Sequence, residues 1–210
     1  MSGAGVPQPS DRAVAALIGW EVGDRAEYEK TEARPTWPGD DSGVTIGIGY
    51  DLGYEPAIRD DWGPHLPADV VQRLAAVGGR IRAAAVSALA GLHDIVVPWD
   101  AAVAVFRART LPRYVALTSA TFPGAERLSG DSLGALVSLV YNRGPALDGP
   151  TRTEMRGIYD ALAEGRAEDV PQLIRGMKRL WPHSADLCDR RDGEALLFEA
   201  GLPQSMTDMG

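Results

Sequence analysis

The sequence is poor in residues that form disulfides and bind metals. It contains one cysteine, Cys188, and three histidines, His65, His93 and His183. A single cysteine excludes an internal disulfide and a multi-cysteine zinc site, and the histidines lack the spacing of metal ligands. We therefore expect no metal, no cofactor, and folding in a reducing cytosol.

Long apolar runs and excess positive charge are also missing. No apolar stretch approaches the ~20 residues that cross a bilayer, and the start, MSGAGVPQPSDR, lacks the features of a secretory signal. The 29 acidic and 21 basic side chains give a net charge of −8, which disfavours a nucleic-acid partner because such binding needs a positive face. We expect a protein that does not insert into membranes and is made in the cytoplasm, so that any export would need specialised secretion or release.

The chain has the length and the apolar content of one folded domain. It has 210 residues, of which 45% are hydrophobic. We predict a flexible arm over residues 1–10, a single domain over 11–202 and a flexible tail over 203–210.

Apolar periodicity predicts a small β element followed by a helical body. A helix capped by Ser10 or Asp11 ends before Gly23, the polar stretch 24–43 is predicted as a loop or weak hairpin, and alternation predicts a short strand over 44–48. Helices are predicted over 67–77, 79–90, 98–118, 131–142, 152–164, 167–179 and 185–200. The fold class is therefore α+β, with helices segregated from the sheet.

Glu21 is the first candidate for chemistry. It follows Trp20 at the end of the first predicted helix, where the helix dipole and an apolar neighbour both disfavour a charged carboxylate. A carboxyl group held protonated near neutral pH can serve as a general acid. A glutamate at a helix end is also commonly a solvated charge, so position alone does not assign Glu21 a catalytic role.

The segment GVTIGIGYDLG supplies a hydroxyl and a second carboxylate. Thr45 and Asp51 lie six residues apart, where a turn can bring both to one cleft wall. With a protonated Glu21 they are the groups that hydrolyse a glycosidic bond, in which an acid protonates the leaving oxygen and a base activates water. Asp40 and Asp41 in the preceding loop are alternative positions for the second carboxylate, and Asp51 can instead be an ordinary turn residue.

The order of these motifs resembles a known family. A helix-end Glu21, a Pro/Gly/Asp loop and GVTIGIGYDLG resemble the N-terminal lobe of phage lysozymes of the T-even type, and more closely the pesticin-like muramidases of that superfamily. LVSLVYNRG over 136–144 and DRRDGEALLFEAG over 189–201 resemble its later elements. The resemblance implies a lysozyme-like fold, in which a small N-terminal β-hairpin lobe packs against a mainly helical body.

The resemblance also implies an activity and a site. The activity is hydrolysis of the β-1,4 bond between N-acetylmuramic acid and N-acetylglucosamine in peptidoglycan. Glu21 would be the general acid, Asp51 the base or electrostatic partner, and Thr45 the residue that orients water. Asn142 and Arg143 would contact the saccharide.

Aromatic residues near these motifs are candidate platforms for sugar rings. They are Trp37, Tyr50 and Tyr54, although aromatics more often pack in cores. Tyr50 stands where the phage enzymes have a histidine, so any role of that imidazole is absent. The charge of −8 gives no long-range attraction to an anionic cell wall.

The resemblance to pesticin-like domains suggests an antibacterial role. We expect a type VI secretion effector, a bacteriocin domain or a phage endolysin, acting as a monomer on peptidoglycan glycan strands in the periplasm of a target cell. An effector would be accompanied by an immunity protein that occludes the cleft.

Two other classes stay open. GDSLG over 130–134 fits the G-x-S-x-G pattern of serine esterases with Ser132 as nucleophile, but that motif needs a preceding strand and a later histidine, which only His183 offers. Asp131 and Ser132 also suit a helix start. The other class is a binding module that retains the lysozyme fold and binds glycans or a protein without hydrolysing them.

Overall fold

The computed structural model describes residues 8–203, which divide into two compact units. The hairpin unit is Ile18–Pro112, and the helical unit comprises the described chain before and after it. Residues 1–7 of the predicted arm and 204–210 of the predicted tail lie outside the described residues. The single domain over 11–202 stays a prediction.

The first helix, α1, is Asp11–Val22. The Ser10 hydroxyl oxygen accepts a hydrogen bond from the backbone N–H of Ala13 at 3.0 Å, which caps the first turn. Gly23 follows with a φ of 73°, a left-handed conformation that ends helices and favours glycine. Both predicted limits of this helix are confirmed.

A second helix, α2, occupies Arg25–Thr31, where the sequence analysis predicted a loop or weak hairpin. The Asp24 side chain accepts the backbone N–H of Glu27 at 2.9 Å and begins the helix. An aspartate followed three residues later by a glutamate is a helix-start signal. The loop prediction was wrong over this stretch because the prolines and glycines that favour a loop all lie after Thr31.

The predicted strand over 44–48 is instead the first half of a hairpin. Strands β1, Thr45–Ile46, and β2, Tyr50–Asp51, pair antiparallel, with the first residue of β1 opposite the last of β2. The chain reverses through Gly47 and Gly49, whose φ angles are 59° and 67°. These left-handed conformations are open to glycine at little cost, so the TIGIG run encodes a turn.

Four further helices belong to the hairpin unit. The predicted helices over 67–77 and 79–90 are present with later starts, the helix over 98–118 is interrupted by a π-helical turn at Phe106–Thr110, and one short helix was not predicted. The helices are α3 Ile58–Trp62, α4 Ala68–Ala76, α5 Ala83–Leu89 and α6 Trp99–Val105.

The helical unit is built around α8, whose residues from Ser132 to Val140 are all buried. The final helix packs against it. The predicted helix over 167–179 has 3-10 turns at both ends. After α6 the helices are α7 Leu111–Thr121, α8 Gly130–Arg143, α9 Thr153–Ala163, α10 Val170–Gly176 and α11 Ala185–Ala200.

A buried charge cluster joins α8 to α11. The fully buried Glu194 accepts hydrogen bonds from Ser138 Oγ at 2.7 Å, Arg190 Nε at 3.2 Å and Arg191 Nη2 at 2.8 Å. Burial raises the pKa of the Glu194 carboxyl, while Arg191 acts in the opposite direction. Both arginines therefore form ion pairs that brace the last helix.

The described chain is mostly helical with one small antiparallel sheet, which is compatible with the predicted α+β class. Within residues 8–203 no helix has the length and apolar character needed to cross a membrane.

Candidate functional site

A cleft of about 480 Å³ in the hairpin unit is lined by Glu21 and Thr45. Glu21 comes from the last turn of α1 and Thr45 opens β1. The volume lies in the range of small-molecule sites. The other lining residues are Val22, Glu32, Thr36, Pro38, Gly47 and Gly49.

Glu21 is half-buried, and its Oε1 atom is shielded from solvent. The helix that carries it ends one residue later, so its carboxyl group lies at the carbonyl end of α1. The helix dipole is negative at that end. The sequence analysis predicted this placement at the helix end.

Thr45 is held on both sides by neighbouring backbone. Its N–H donates to the carbonyl of Thr36 at 2.8 Å, and its own carbonyl accepts the N–H of Thr36 at 2.9 Å. On the other side it lies opposite Asp51 in the β1–β2 pair. Pairing on both sides fixes where the Thr45 side chain meets the cleft.

Asp51 is fixed by backbone amides. Its Oδ1 atom accepts the N–H of Gly43 at 3.0 Å and of Gly53 at 2.7 Å. A Cβ atom added at Gly43 would lie 2.3 Å from Asp51 Oδ1, so this approach requires glycine. Residues directly opposite in an antiparallel pair share a face, so Asp51 lies beside Thr45, although it is not among the described residues that line the cleft.

Glu32 is a second carboxylate in the cleft wall that the sequence analysis missed. It is half-buried and forms the C-cap of α2, where its N–H donates to the carbonyl of Tyr28 at 2.8 Å. The aspartate and glutamate that start α2 were the available signal. A helix predicted from them would have ended close to Glu32.

Asp40 and Asp41 do not line this cleft. They line a separate groove of about 890 Å³ together with Trp37 and Arg82, and Arg82 forms an ion pair with Asp41. The only two non-glycine residues with positive φ within 8–203, Asp40 at 47° and Arg82 at 56°, both lie in this groove. Asp40 and Asp41 therefore line a different pocket from the one that Glu21 lines.

Tyr50 is buried, at 3% exposure, and does not present its ring to a ligand. Its hydroxyl donates to Asp61 Oδ2 at 2.8 Å, and its ring meets Trp62 edge-on at 5.4 Å between centroids. Asp61 also pairs with Arg109 Nε at 2.6 Å. Burial raises the pKa of the Tyr50 hydroxyl, as does the bond to Asp61. The predicted sugar contact is corrected to a packing role, because a buried ring offers no face for stacking.

Trp37 and Tyr54 keep accessible surface. The Trp37 ring is half-buried, and its Nε1–H donates to the carbonyl of Ser42 at 3.0 Å. Tyr54 is 58% exposed, and its hydroxyl donates to the carbonyl of Asp41 at 2.8 Å. Their contact with sugar rings stays a prediction.

Asn142 and Arg143 lie at the end of α8 in the helical unit, and neither lines the cleft of the hairpin unit. Asn142 is exposed, whereas Arg143 is half-buried with its guanidinium carbon 4.8 Å from the Trp181 ring centroid. Burial, then the neighbouring charges of Arg152 and Arg191, lower the pKa of Arg143 to about 10. Their saccharide contact stays a prediction.

Ser132 has the environment of a structural residue. It lies in the first turn of α8, 1% exposed, and its hydroxyl donates to the carbonyl of Phe198 at 2.9 Å. Ser129 caps the helix, and no strand precedes Ser132 within the helical unit as described. A buried hydroxyl without the strand-to-turn geometry of a nucleophile elbow argues against the esterase hypothesis. The predicted helix start at Asp131 and Ser132 is confirmed.

No protein-family model matches the chain, and no curated protein matches it. In residues 8–203 no group of three or more His, Cys, Asp or Glu side chains is arranged to hold a metal ion.

Proposed function

We propose that the protein is a peptidoglycan hydrolase of the muramidase type, which cleaves the β-1,4 bond between N-acetylmuramic acid and N-acetylglucosamine. The observation that carries the proposal is that Glu21 and Thr45 line one cleft while Asp51 lies opposite Thr45 in the hairpin. The motif order that resembles pesticin-like muramidases, and the lysozyme-like fold it implies, support the same assignment.

In the proposed reaction Glu21 donates its proton to the glycosidic oxygen as the bond to the anomeric carbon breaks. The Thr45 hydroxyl positions a water molecule, whose oxygen bonds to the anomeric carbon while its proton passes to a carboxylate base. A fixed negative charge also stabilises the oxocarbenium-like transition state. The amides of Gly43 and Gly53 hold Asp51 in place for either role.

Glu32 is the second candidate for the base. It lines the cleft that holds Glu21 and Thr45, whereas the Asp51 carboxylate is turned towards two backbone amides. Substitution of Asp51 and of Glu32, one at a time, therefore distinguishes the two candidates.

The proposed setting is an attack on the wall of another bacterium. We propose an effector, a bacteriocin domain or an endolysin that acts in the target periplasm as a monomer. For an effector, an immunity protein would cover the cleft of Glu21 and Thr45.

The decisive experiment is digestion of purified peptidoglycan sacculi, followed by borohydride reduction and mass spectrometry. A muramidase produces fragments that end in reduced N-acetylmuramic acid. Ends of reduced N-acetylglucosamine, or release of free peptides, would contradict the assigned bond. Tight binding without cleavage by the folded protein would identify a glycan-binding module instead.

A further inference from the structure

Arginines of the helical unit are commonly paired with carboxylates. These ion pairs join Arg156 to Asp148, Arg166 to Glu164 and Asp169, Arg175 to Glu199, Arg179 to Glu154, and both Arg190 and Arg191 to Glu194. Arg143 and Arg152 differ. Both are half-buried, and neither forms an ion pair with any residue in 8–203.

The two guanidinium groups are brought together by the loop between α8 and α9. Arg143 Nη2 donates to the carbonyl of Thr151 at 2.5 Å, and Thr151 directly precedes Arg152. The charge of Arg152 contributes to the lowered pKa of Arg143, after the larger effect of burial. Two like charges are therefore held close in a partly desolvated place, which is unfavourable without an anion.

Both side chains also have hydrogen-bond donors without acceptors. Arg143 Nε and Arg152 Nη1 are shielded from solvent and bond to no acceptor within the described chain. Buried donors normally have an acceptor. A buried donor without one has lost its hydrogen bonds to water and gained none in the protein. The helix α9 begins at Thr153, so the positive end of its dipole adds to the charge at Arg152.

The carboxylates nearby are already bound. Glu154 accepts hydrogen bonds from Arg179 through both oxygens, including one at 3.0 Å from Nη2. Glu194 is occupied by Ser138 and the two arginines of α11. Both acids are bound to other arginines, and their charges offset only part of the effect that burial and the neighbouring arginines have on the pKa of Arg143.

We propose that Arg143 and Arg152, here called the arginine pair, bind an oxyanion of a ligand, either a carboxylate or a phosphate. A guanidinium group offers parallel N–H donors that match two oxygens of such a group. The Trp181 ring, whose centroid lies 4.8 Å from the Arg143 guanidinium carbon, packs over that group. If the proposed function holds, the carboxylates belong to the peptides that substitute muramic acid. Phosphates would come from phosphate-bearing wall polymers.

The site is tested by following arginine Nε–Hε resonances by NMR while sodium glutarate or sodium phosphate is added at constant ionic strength. We expect saturable shifts of the Arg143 and Arg152 signals. Arg152→Gln should abolish the shift at Arg143. Arg156→Gln, which alters an arginine of α9 that is paired with Asp148, should preserve the shifts of both Arg143 and Arg152. Tighter binding of glutarate indicates a peptide carboxylate, and tighter binding of phosphate indicates a phosphate polymer. Absence of saturable shifts in the wild-type protein with both anions overturns the proposal.

A second measurement links the site to the substrate. Where glutarate binds more tightly, Arg152→Gln should raise KM for peptide-bearing glycan about 10-fold and leave peptide-stripped glycan unaffected. Equal effects on both substrates would overturn the carboxylate assignment. A protein that shows the NMR shifts but cleaves no glycan keeps the anion site and loses the proposed function, so the two failures are distinguishable.

Discussion

Thr45 and Asp51 lie directly opposite each other in the two-stranded hairpin, and the Asp51 carboxylate is bound by the amides of Gly43 and Gly53. Short strands alone would hold such a pair weakly. The hydrogen bonds to the amides, and the second backbone pairing of Thr45 with Thr36, supply the rigidity that the proposed catalytic role requires.

The proton donor is tested by Glu21→Gln. The amide keeps the size and hydrogen bonding of the side chain but cannot supply an acidic proton, so we expect hydrolysis of sacculi to fall at least ~100-fold. The control is Glu29→Gln, which alters an exposed glutamate paired with Arg25. Near-normal turnover by a folded Glu21→Gln protein would contradict the assignment.

The identity of the second carboxylate is tested by comparing Asp51→Asn with Glu32→Gln. If Asp51 is the base or electrostatic partner, Asp51→Asn loses more than ~100-fold in kcat while Glu32→Gln stays within about 10-fold. The reverse ranking would assign the base to Glu32. Thermal denaturation of each variant is needed, because Asn at position 51 also weakens the bonds to the two glycine amides.

The loop aspartates should be dispensable for chemistry. Asp40→Asn and Asp41→Asn lie in the groove beside Trp37, away from the cleft wall, so we expect kcat/KM to remain within about 10-fold of wild type. Steady-state assays on solubilised glycan strands measure this. A severe loss in either variant would move the second carboxylate into the loop.

Tyr50→Phe should act on stability. The change removes the hydroxyl that donates to the buried Asp61, so the free energy of unfolding should fall by about 1–3 kcal/mol. Urea denaturation measures the change. Tyr54→Phe is the matched control, because that hydroxyl lies at the surface, and its loss should be within about 0.5 kcal/mol. Equal losses would show that the bond to Asp61 is not a stabilising contact.

Ser132→Ala should leave hydrolysis intact. It removes the hydrogen bond to the carbonyl of Phe198, and a buried acceptor left unpaired costs about 1–3 kcal/mol. Chemical denaturation gives the stability, and digestion of sacculi gives the activity. Loss of activity with unchanged stability would return Ser132 to consideration as a nucleophile.

Local signals account for much of the fold. The cap at Ser10, the stop at Gly23 and the apolar periodicity of α8 and α11 each depend on a few neighbouring residues, and sequence patterns record such interactions directly. The π-helical turn at Phe106–Thr110 has no such signal, because a periodicity analysis assumes one helical repeat throughout.

The site was harder to predict because it depends on contacts between distant segments. The pairing of Thr45 with Asp51 followed from their spacing and the glycines between them. The place of Glu32 in the cleft required α2, and the burial of Tyr50 required Asp61 and Trp62 from α3. The unpaired charges of Arg143 and Arg152 became visible only when the partners of the other arginines were known.

The bond from Tyr50 to Asp61 also fixes how the hairpin responds to acidity. A histidine at this position would change charge near pH 6.5, so its bond to the aspartate would vary around that pH. Burial raises the pKa of the Tyr50 hydroxyl above its ordinary value, and the phenol therefore stays neutral from acid to mildly alkaline solution. Loss of the Tyr50 proton therefore does not break the bond between the hairpin and α3 at acidic or neutral pH.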